Sequence, residues 1–590
     1  MAVNWEELAI KKRQQLLDSI PEEWRIPTHL LPPETQDDVT GFPESSGWFT
    51  AEELAITNST VLELIPKLAS GELKSETVTR AFCKRAAAAH QLVNCLSETC
   101  FDRALETAKA LDERIAKGLG PIGPFHGLPI SLKDNINLTG MDSTIGFACY
   151  IGDEAKSDAE LATILFQAGA VPYVKTNVPT AMMMAESVNN VFGRTVNPQN
   201  RKLTSGGSSG GESALLLFKG SPLGIGTDIG GSLRIPAACT GAFTLRSSTG
   251  RFPTYGCRSG LPGQETVVSI NGPLTRSIAD LEYYSKAVVS AEPWNFDPRC
   301  LPIPWRSVSL PSKLKIAVMW HDGTVLPTPP VVRALRHTVE KLRAAGHEIS
   351  EWSPEDQAEG LNLLARSYAA DGGKSILGNM AKTGEPVRPE IAAFGAAPEV
   401  SGSEYWALHL RRNELQKRYL DRWKKAGIDA ILAPATPYSG VENGKFKYSE
   451  YSGPRAGGEF ADGFFFLLVG YTGVYNLVDY SAIVFPTGMT VDSAVDVYSA
   501  DAPAPMSEAD KVTRNDCTFS APPPIPTRVL HYLLLTALGR QCGSGSRHAD
   551  LPAVGRTTTG RGESHRDVQD RVGCLAVDGV DKPSMAWFLH

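Results

Sequence analysis

The chain has 590 residues, 42% of them hydrophobic and 21% charged, the balance of a soluble globular protein with material for a large core. A formal net charge of −7 is small for that length, and without concentrated Lys and Arg it argues against nucleic acid as a partner. Ten cysteines are scattered with no C-x-x-C and no metal-ligand spacing, which reads as reduced thiols of a cytoplasmic protein.

Trp5, Leu8, Leu16, Leu17 and Ile20 are interrupted by Glu6, Glu7, Lys11, Lys12 and Arg13. That pattern predicts an amphipathic helix packed on the body, not a signal peptide. With the connector around Pro32, Pro33 and Pro43 it makes residues 1–55 a leader. Asn58-Ser59 reads as the N-cap of a helix carrying Val61, Leu62, Leu64, Ile65 and Leu68, which Pro66 kinks or divides and Gly71 closes. Ser75 is placed to cap the next helix. Ala104, Leu105, Ala108, Leu111 and Ile115 then recur at helical spacing before Gly118.

From there short apolar strands (128–132, 171–174, 316–319 and 428–432) alternate with helices (159–167, capped by Ser157 or Asp158, then 331–345 and 405–425). Such alternation predicts an α/β fold on a buried, mainly parallel sheet. The apolar run 464–478 is shorter than the ~18 residues a membrane span needs and is broken by Gly470 and Gly473, so it reads as buried core. Near Asp516 the character changes. Pro522-Pro523-Pro524 opens a stretch with one apolar patch, 529–538, and little periodicity after it.

Two glycine-walled serine runs carry the chemistry. The first is Gly206-Gly207-Ser208-Ser209-Gly210-Gly211-Glu212, followed by a helix over 212–218. The second is Gly226-Thr227-Asp228-Ile229-Gly230-Gly231-Ser232-Leu233-Arg234. Glycine lets a ligand approach the backbone N–H groups, and serine supplies a hydroxyl that donates, accepts or attacks. Ile229, Gly230, Gly231 and Ser232 can present successive N–H groups around one point, as an oxyanion site requires. Gly206, Ser208 and Gly210 also satisfy Gly-x-Ser-x-Gly, but a nucleophile elbow follows a strand, and residues 197–202 read as a loop. Lys133 ends the apolar strand, where α/β folds place ligands, and burial there lowers an ammonium's pKa until the neutral amine accepts a proton. Taken singly, a turn and a solvated lysine explain these features as well.

Together the pieces are far more specific. The blocks 127–135 and 175–179, the two serine runs, the long run 220–238, and the segments 272–277 and 429–434 resemble the amidase signature family, over roughly residues 60–515. The leader and middle region resemble its fungal acetamidase-type general amidases. The resemblance implies an amidase signature fold: one large mixed, mainly parallel sheet covered by helices on both faces, in a catalytic domain of residues 56–515. It implies hydrolysis of a carboxylic amide to acid plus ammonia or amine, on small amides such as acetamide. Ser232 becomes the acylated nucleophile, Ser208 a bridging serine behind a cis Gly207–Ser208 peptide, and Lys133 the terminal base. Ile229, Gly230 and Gly231 complete the oxyanion site, Met182 lines the substrate pocket, and Ser209, Asp228 and Arg234 support the rest. No metal or organic cofactor, no nucleic acid and no membrane span is implied, and a homodimer is left open.

Phe243-Thr244-Leu245-Arg246 is a peripheral departure from the family pattern. The larger one follows Asn515-Asp516, where the family's closing strand is not recognisable. Residues 516–590 are therefore expected to be a divergent tail, disordered or the product of a shifted reading frame. Two other activities compete. One is a Ser-His-Asp esterase with Ser208 as nucleophile and His531, His548 or His565 as partner. The other is an amidotransferase-like assembly subunit.

Overall fold

The computed structural model describes residues 4–309, 311–445, 469–492, 494–498, 502–507, 510–511 and 514, and the backbone of 530–537. In chain order the strands are β1 (Leu96–Thr99), β2 (Pro129–Lys133), β3 (Val171–Thr176), β4 (Val188–Asn189), β5 (Gly193–Arg194), β6 (Val196–Asn197), β7 (Asn200–Thr204), β8 (Leu223–Asp228), β9 (Phe243–Arg246), β10 (Ile270–Thr275), β11 (Lys315–Val318), β12 (Glu348–Glu351), β13 (Ala430–Pro434), β14 (Ser481–Thr490) and β15 (Leu530–Ala537). Eleven of them form one sheet in the order β1-β3-β2-β8-β10-β9-β14-β15-β13-β11-β12. The expected single large mixed sheet is present. A parallel majority is not: four of its pairings are parallel and six antiparallel. The parallel pairs lie toward the flanks, where helices connect the strands. In the centre, β9, β10, β14 and β15 run antiparallel to their neighbours.

β2, β3 and β8 are buried along their whole length, as strands covered on both faces must be. The helix Ser75–Val93 is buried all round at Ala86, Ala87, Ala88 and Ala89, within a core that includes Ile130, Leu132, Val171 and Val174. Alanine lets helix and sheet approach closely. A second core gathers Leu233, Leu274, Ile431, Tyr471 and Tyr475.

The amphipathic leader helix spans Trp5–Asp18, capped by Asn4, and packs on the body. Its Lys12 is buried against Glu98 and Asp142. The caps differ from the sequence reading. Asn58 ends a short helix Ala51–Asn58, and the next helix, Val61–Ser70, starts from Thr60 in a reciprocal capping box with Glu63. Pro66 lies inside that helix without dividing it, because only the carbonyl one turn back, near the exposed start, loses its donor. Ser75 begins the next helix rather than capping it: the Asp112 carboxylate, distant in sequence, takes the Ser75 and Glu76 N–H groups at 2.7 and 3.0 Å. Likewise Ala159, not Ser157 or Asp158, precedes the helix Glu160–Gln167, and Asp158 instead accepts from Thr139. Residues 197–202, read as a loop, carry part of the β6–β7 ribbon, whose polar residues hide its strand character. Of the apolar run 464–478 the described part holds the buried helix Gly473–Leu477. Among the described residues no helix is long and apolar enough to cross a membrane.

The tail holds the largest correction. Residues 530–537, within the apolar patch, form β15, which pairs with β14 on one side and β13 on the other. The rest of the region expected to be a disordered tail lies outside the described residues, apart from these eight. A strand laddered on both sides cannot be lost without exposing two edges. Leu534→Pro removes one ladder N–H and is expected to lower the thermal unfolding temperature of the full chain by several degrees, followed by calorimetry. An unchanged transition would mean that β15 contributes little to the sheet.

Candidate active site

The site starts from two parallel neighbours. β2 and β8 pair with Ser131 opposite Gly224 and Leu132 opposite Ile225, so Lys133 and Thr227 come to the same end of the sheet. Lys133 is completely buried. Its Nζ donates to Ser208 Oγ at 2.7 Å, to Thr227 Oγ1 at 2.7 Å and, at 3.4 Å, to the Thr227 carbonyl. Burial lowers its pKa to about 7, against the opposing pull of Asp228, Glu212 and Asp134. Such an amine is neutral in part near pH 7.

The first serine run folds against this end. Gly207–Ser208 is a cis peptide. Ser208 and Ser209 are buried, and the helix Gly210–Leu217 starts immediately after them. The Ser209 N–H donates to the Ser232 carbonyl at 3.1 Å, tying the two serine runs together. Ser208, Ser232, Thr227, Ile229 and Met182 all line one cavity of about 270 Å³. Met182 sits in the left-handed region (φ +59°) beside Ala181 in the same conformation, and with Met183 it makes part of the cavity wall.

The second run is shaped by Asp228. Its carboxylate takes the Gly231 and Leu233 N–H groups (2.9 and 3.1 Å), the Nη2 and Nε of Arg234 (2.9 and 3.0 Å) and Asn476 Nδ2 (2.8 Å). Burial pushes this carboxyl up, but the Arg234 charge, with its hydrogen bonds and those of Asn476, outweighs burial and holds it well below the usual carboxylate range. Gly231 has φ +138°, and a Cβ there would lie 2.4 Å from Thr472 Oγ1, so only glycine fits this turn. The Tyr368 hydroxyl donates to the Ile229 carbonyl, and Thr472 Oγ1 donates to that of Gly230 at 2.7 Å. In a trans peptide the N–H points opposite its carbonyl, so these two bonds also fix the N–H groups of Gly230 and Gly231.

That geometry corrects one assignment. Gly231 is buried and its N–H already serves Asp228, so it does not face the cavity as an oxyanion donor. Ile229, Gly230 and Ser232 are half-buried. Asp228 and Arg234 stand behind the loop, fully buried and paired with each other. Sequence reasoning missed Thr227, Tyr368, Thr472 and Asn476. Thr227 was legible as the residue before Asp228, but the other three come from segments whose sequence carries no signal of proximity.

Among the described residues no histidine lines the cavity, and the Ser208 hydroxyl is engaged by Lys133. The side chains of His531, His548 and His565 lie outside the described residues. Among the described residues, too, no three His, Cys, Asp or Glu side chains converge to hold a metal.

A family model described as Amidase matches residues 77–506. The acetamidase of Emericella nidulans is 42% identical over 502 residues, covering 82% of this chain and 87% of that protein. The acetamidase of Aspergillus oryzae is 38% identical over 526 residues, covering 86% and 92%. Among solved structures, a fatty acid amide hydrolase superposes with a TM-score of 0.81 at 32% identity, covering 90% of this chain and 91% of that one.

Removing one partner of a buried ion pair leaves the other charge uncompensated, at about 3–5 kcal/mol. Asp228→Ala is therefore expected to lose about that much stability in denaturant titrations. A loss below about 1 kcal/mol would show that Arg234 finds another partner.

Proposed function

The chain belongs to the amidase family and is an amide hydrolase, and from that premise we propose that Ser232, Ser208 and Lys133 form its proton-transfer chain. The 2.7 Å contact between a buried, part-neutral lysine and Ser208, on the cavity that Ser232 also lines, carries this reading. Ser232 Oγ attacks the amide carbonyl and gives its proton to Ser208 as Ser208 gives its own to Lys133. The N–H groups of Ile229, Gly230 and Ser232 receive the oxyanion, each worth about 2.7–4 kcal/mol of barrier where such donors have been removed. The proton returns from Lys133 through Ser208 to the nitrogen, which leaves as ammonia or amine, because an unprotonated amide nitrogen is a poor leaving group. Water then hydrolyses the acyl-enzyme by the same relay, regenerating Ser232 and releasing the acid.

Short amides such as acetamide are the proposed substrates. A cavity of about 270 Å³ lies below the ~300–1,000 Å³ usual for drug-sized ligands. The two fungal relatives are named acetamidases. Met182, Met183 and Leu261 give the cavity apolar wall suited to a short acyl group. The cytoplasm is the proposed compartment, since the seven cysteines among the described residues are free thiols.

Ser232→Ala is expected to lower amide turnover at least about 10,000-fold, and a fluorophosphonate probe should label Ser232 in the parent protein. A probe adduct on Ser208, mapped by mass spectrometry, would overturn the assignment. The pH profile follows from the lysine. Below about pH 7 Lys133 is protonated and cannot accept, so kcat/KM should rise with pH through a midpoint near 7 and then level. A profile flat from pH 5 to 9 would remove Lys133 from the role of base.

A further inference from the structure

Glu212 closes the first serine run and plays no part in the relay. Yet it is fully buried behind the base, and its position is specific. Thr176, which faces Lys133 across the β2–β3 register, donates from Oγ1 to Glu212 Oε1 at 2.9 Å. Ser131, two residues before Lys133 on β2, contacts Glu212 Oε2 at 2.6 Å. Gly224 makes the room: a Cβ there would lie 2.2 Å from Oε2.

The hydroxyl contacts along this chain allow a proton arrangement in which the Glu212 carboxyl is the donor. Ser131 Oγ lies 2.6 Å from Glu212 Oε2 and 2.9 Å from Ser221 Oγ, and Ser221 Oγ lies 2.9 Å from the Leu223 carbonyl. The carbonyl only accepts, so Ser221 gives its single proton there. Ser131 must then donate to Ser221, and it cannot also donate to Glu212. The Tyr173 hydroxyl gives its proton to the Gly220 carbonyl and is itself bonded to Ser221, a second acceptor that leaves Ser221 no proton for Ser131 either. The short Glu212–Ser131 contact is left to take its proton from the carboxyl itself.

We infer that Glu212 is a protonated, neutral carboxyl in the working enzyme and a positioning residue for Lys133, anchoring the lysine's strand without placing a negative charge behind it. Burial points the same way, raising the Glu212 carboxyl to about 8 against the opposing hydrogen bonds of Ser131 and Thr176 and the charge of Lys133. An ionised carboxylate would favour the ammonium form of Lys133, which accepts nothing. The other groups facing the pair are Asp228 from β8, Asp134 just beyond β2, Cys257, Cys95 and Tyr173. Asp228 is already bound to Arg234, Asp134 Oδ2 accepts from the Ile145 N–H at 2.6 Å, and burial pushes both thiols and the phenol up, so they stay uncharged.

The positioning role rests on Lys133 being the base, but the protonation state does not, and one experiment separates them. In infrared difference spectra of the full-length protein against Glu212→Gln at pH 7, a protonated-carboxyl C=O band that shifts in D2O is expected. Only carboxylate bands would overturn the inference. Glutamine keeps a donor for Ser131 and an acceptor for Thr176, so the acid-limb midpoint of kcat/KM should stay within about 0.3 pH unit of the parent value. A fall of about one unit or more would mean that a negative charge had been removed. If Glu212→Gln does not fold, Ser221→Ala reads the same band. Cutting the far end of the chain shifts it if the carboxyl donates into the chain, and an unshifted spectrum counts against the inference. A protonated-carboxyl band together with a pH profile lacking an acid limb would leave Glu212 neutral and refute Lys133 as base.

Discussion

The structure is organised around an amine kept dry. Lys133 ends a strand buried along its whole length and is itself fully buried. Desolvation is the largest influence on its protonation, and the surroundings are arranged so that it is not cancelled. The acidic group that acts on it most strongly, Asp228, is occupied by Arg234, two backbone N–H groups and Asn476. Two hydroxyls, not a carboxylate, stand opposite the amine. A close ion-pair partner would restore the ammonium and remove the acceptor.

The ion pair behind the loop has a different task. A buried pair of this kind is weak evidence for net stability, because desolvation offsets much of its attraction. Here it orients peptides. Asp228 draws in the N–H groups of Gly231 and Leu233, while Tyr368 and Thr472 hold the carbonyls of Ile229 and Gly230 from the other side. Hydrogen bonds on both edges leave the Ile229–Ser232 backbone little freedom, which is what a preorganised donor set requires. Arg234 also reaches the Thr472 carbonyl at 2.8 Å, so the segment around residue 472 is joined to the loop twice.

Much of this was legible in the sequence because the chemistry is concentrated in two short runs and one strand end. Ser208, Ser232 and Lys133 stand in contiguous motifs, and the apolar strands 128–132 and 171–174 lie within β2 and β3 or one residue from them. What stayed hidden shares a cause: its meaning depends on a partner far away in the chain. Tyr368, Thr472 and Asn476 look like ordinary helix and core residues until the fold places them against Ile229, Gly230 and Asp228. Asp112 caps a helix from more than thirty residues away. Glu212 looked like a helix start, and only the hydroxyls of Ser131, Thr176 and Ser221 give its carboxyl a role. The β6–β7 ribbon was missed because Asn197, Asn200, Arg201 and Lys202 mask a strand with turn-like polarity.

By itself the sequence determined the candidate reactive groups, the alternation of strands and helices, and the glycines that let the serine runs come close to the sheet. These are local properties, set by side-chain chemistry and backbone freedom within a few residues. Tertiary structure alone decided three things. It made the sheet antiparallel through its centre, because direction depends on which strands become neighbours. It turned the Gly231 N–H away to Asp228 and left its neighbours half-exposed. It also drew eight residues of a weakly patterned tail into β15, since the open edges of β13 and β14 require a strand that hydrogen-bonds to both. The two serine runs and Lys133 supply the groups of the proposed relay, and burial in the fold lowers the pKa of the amine to about 7.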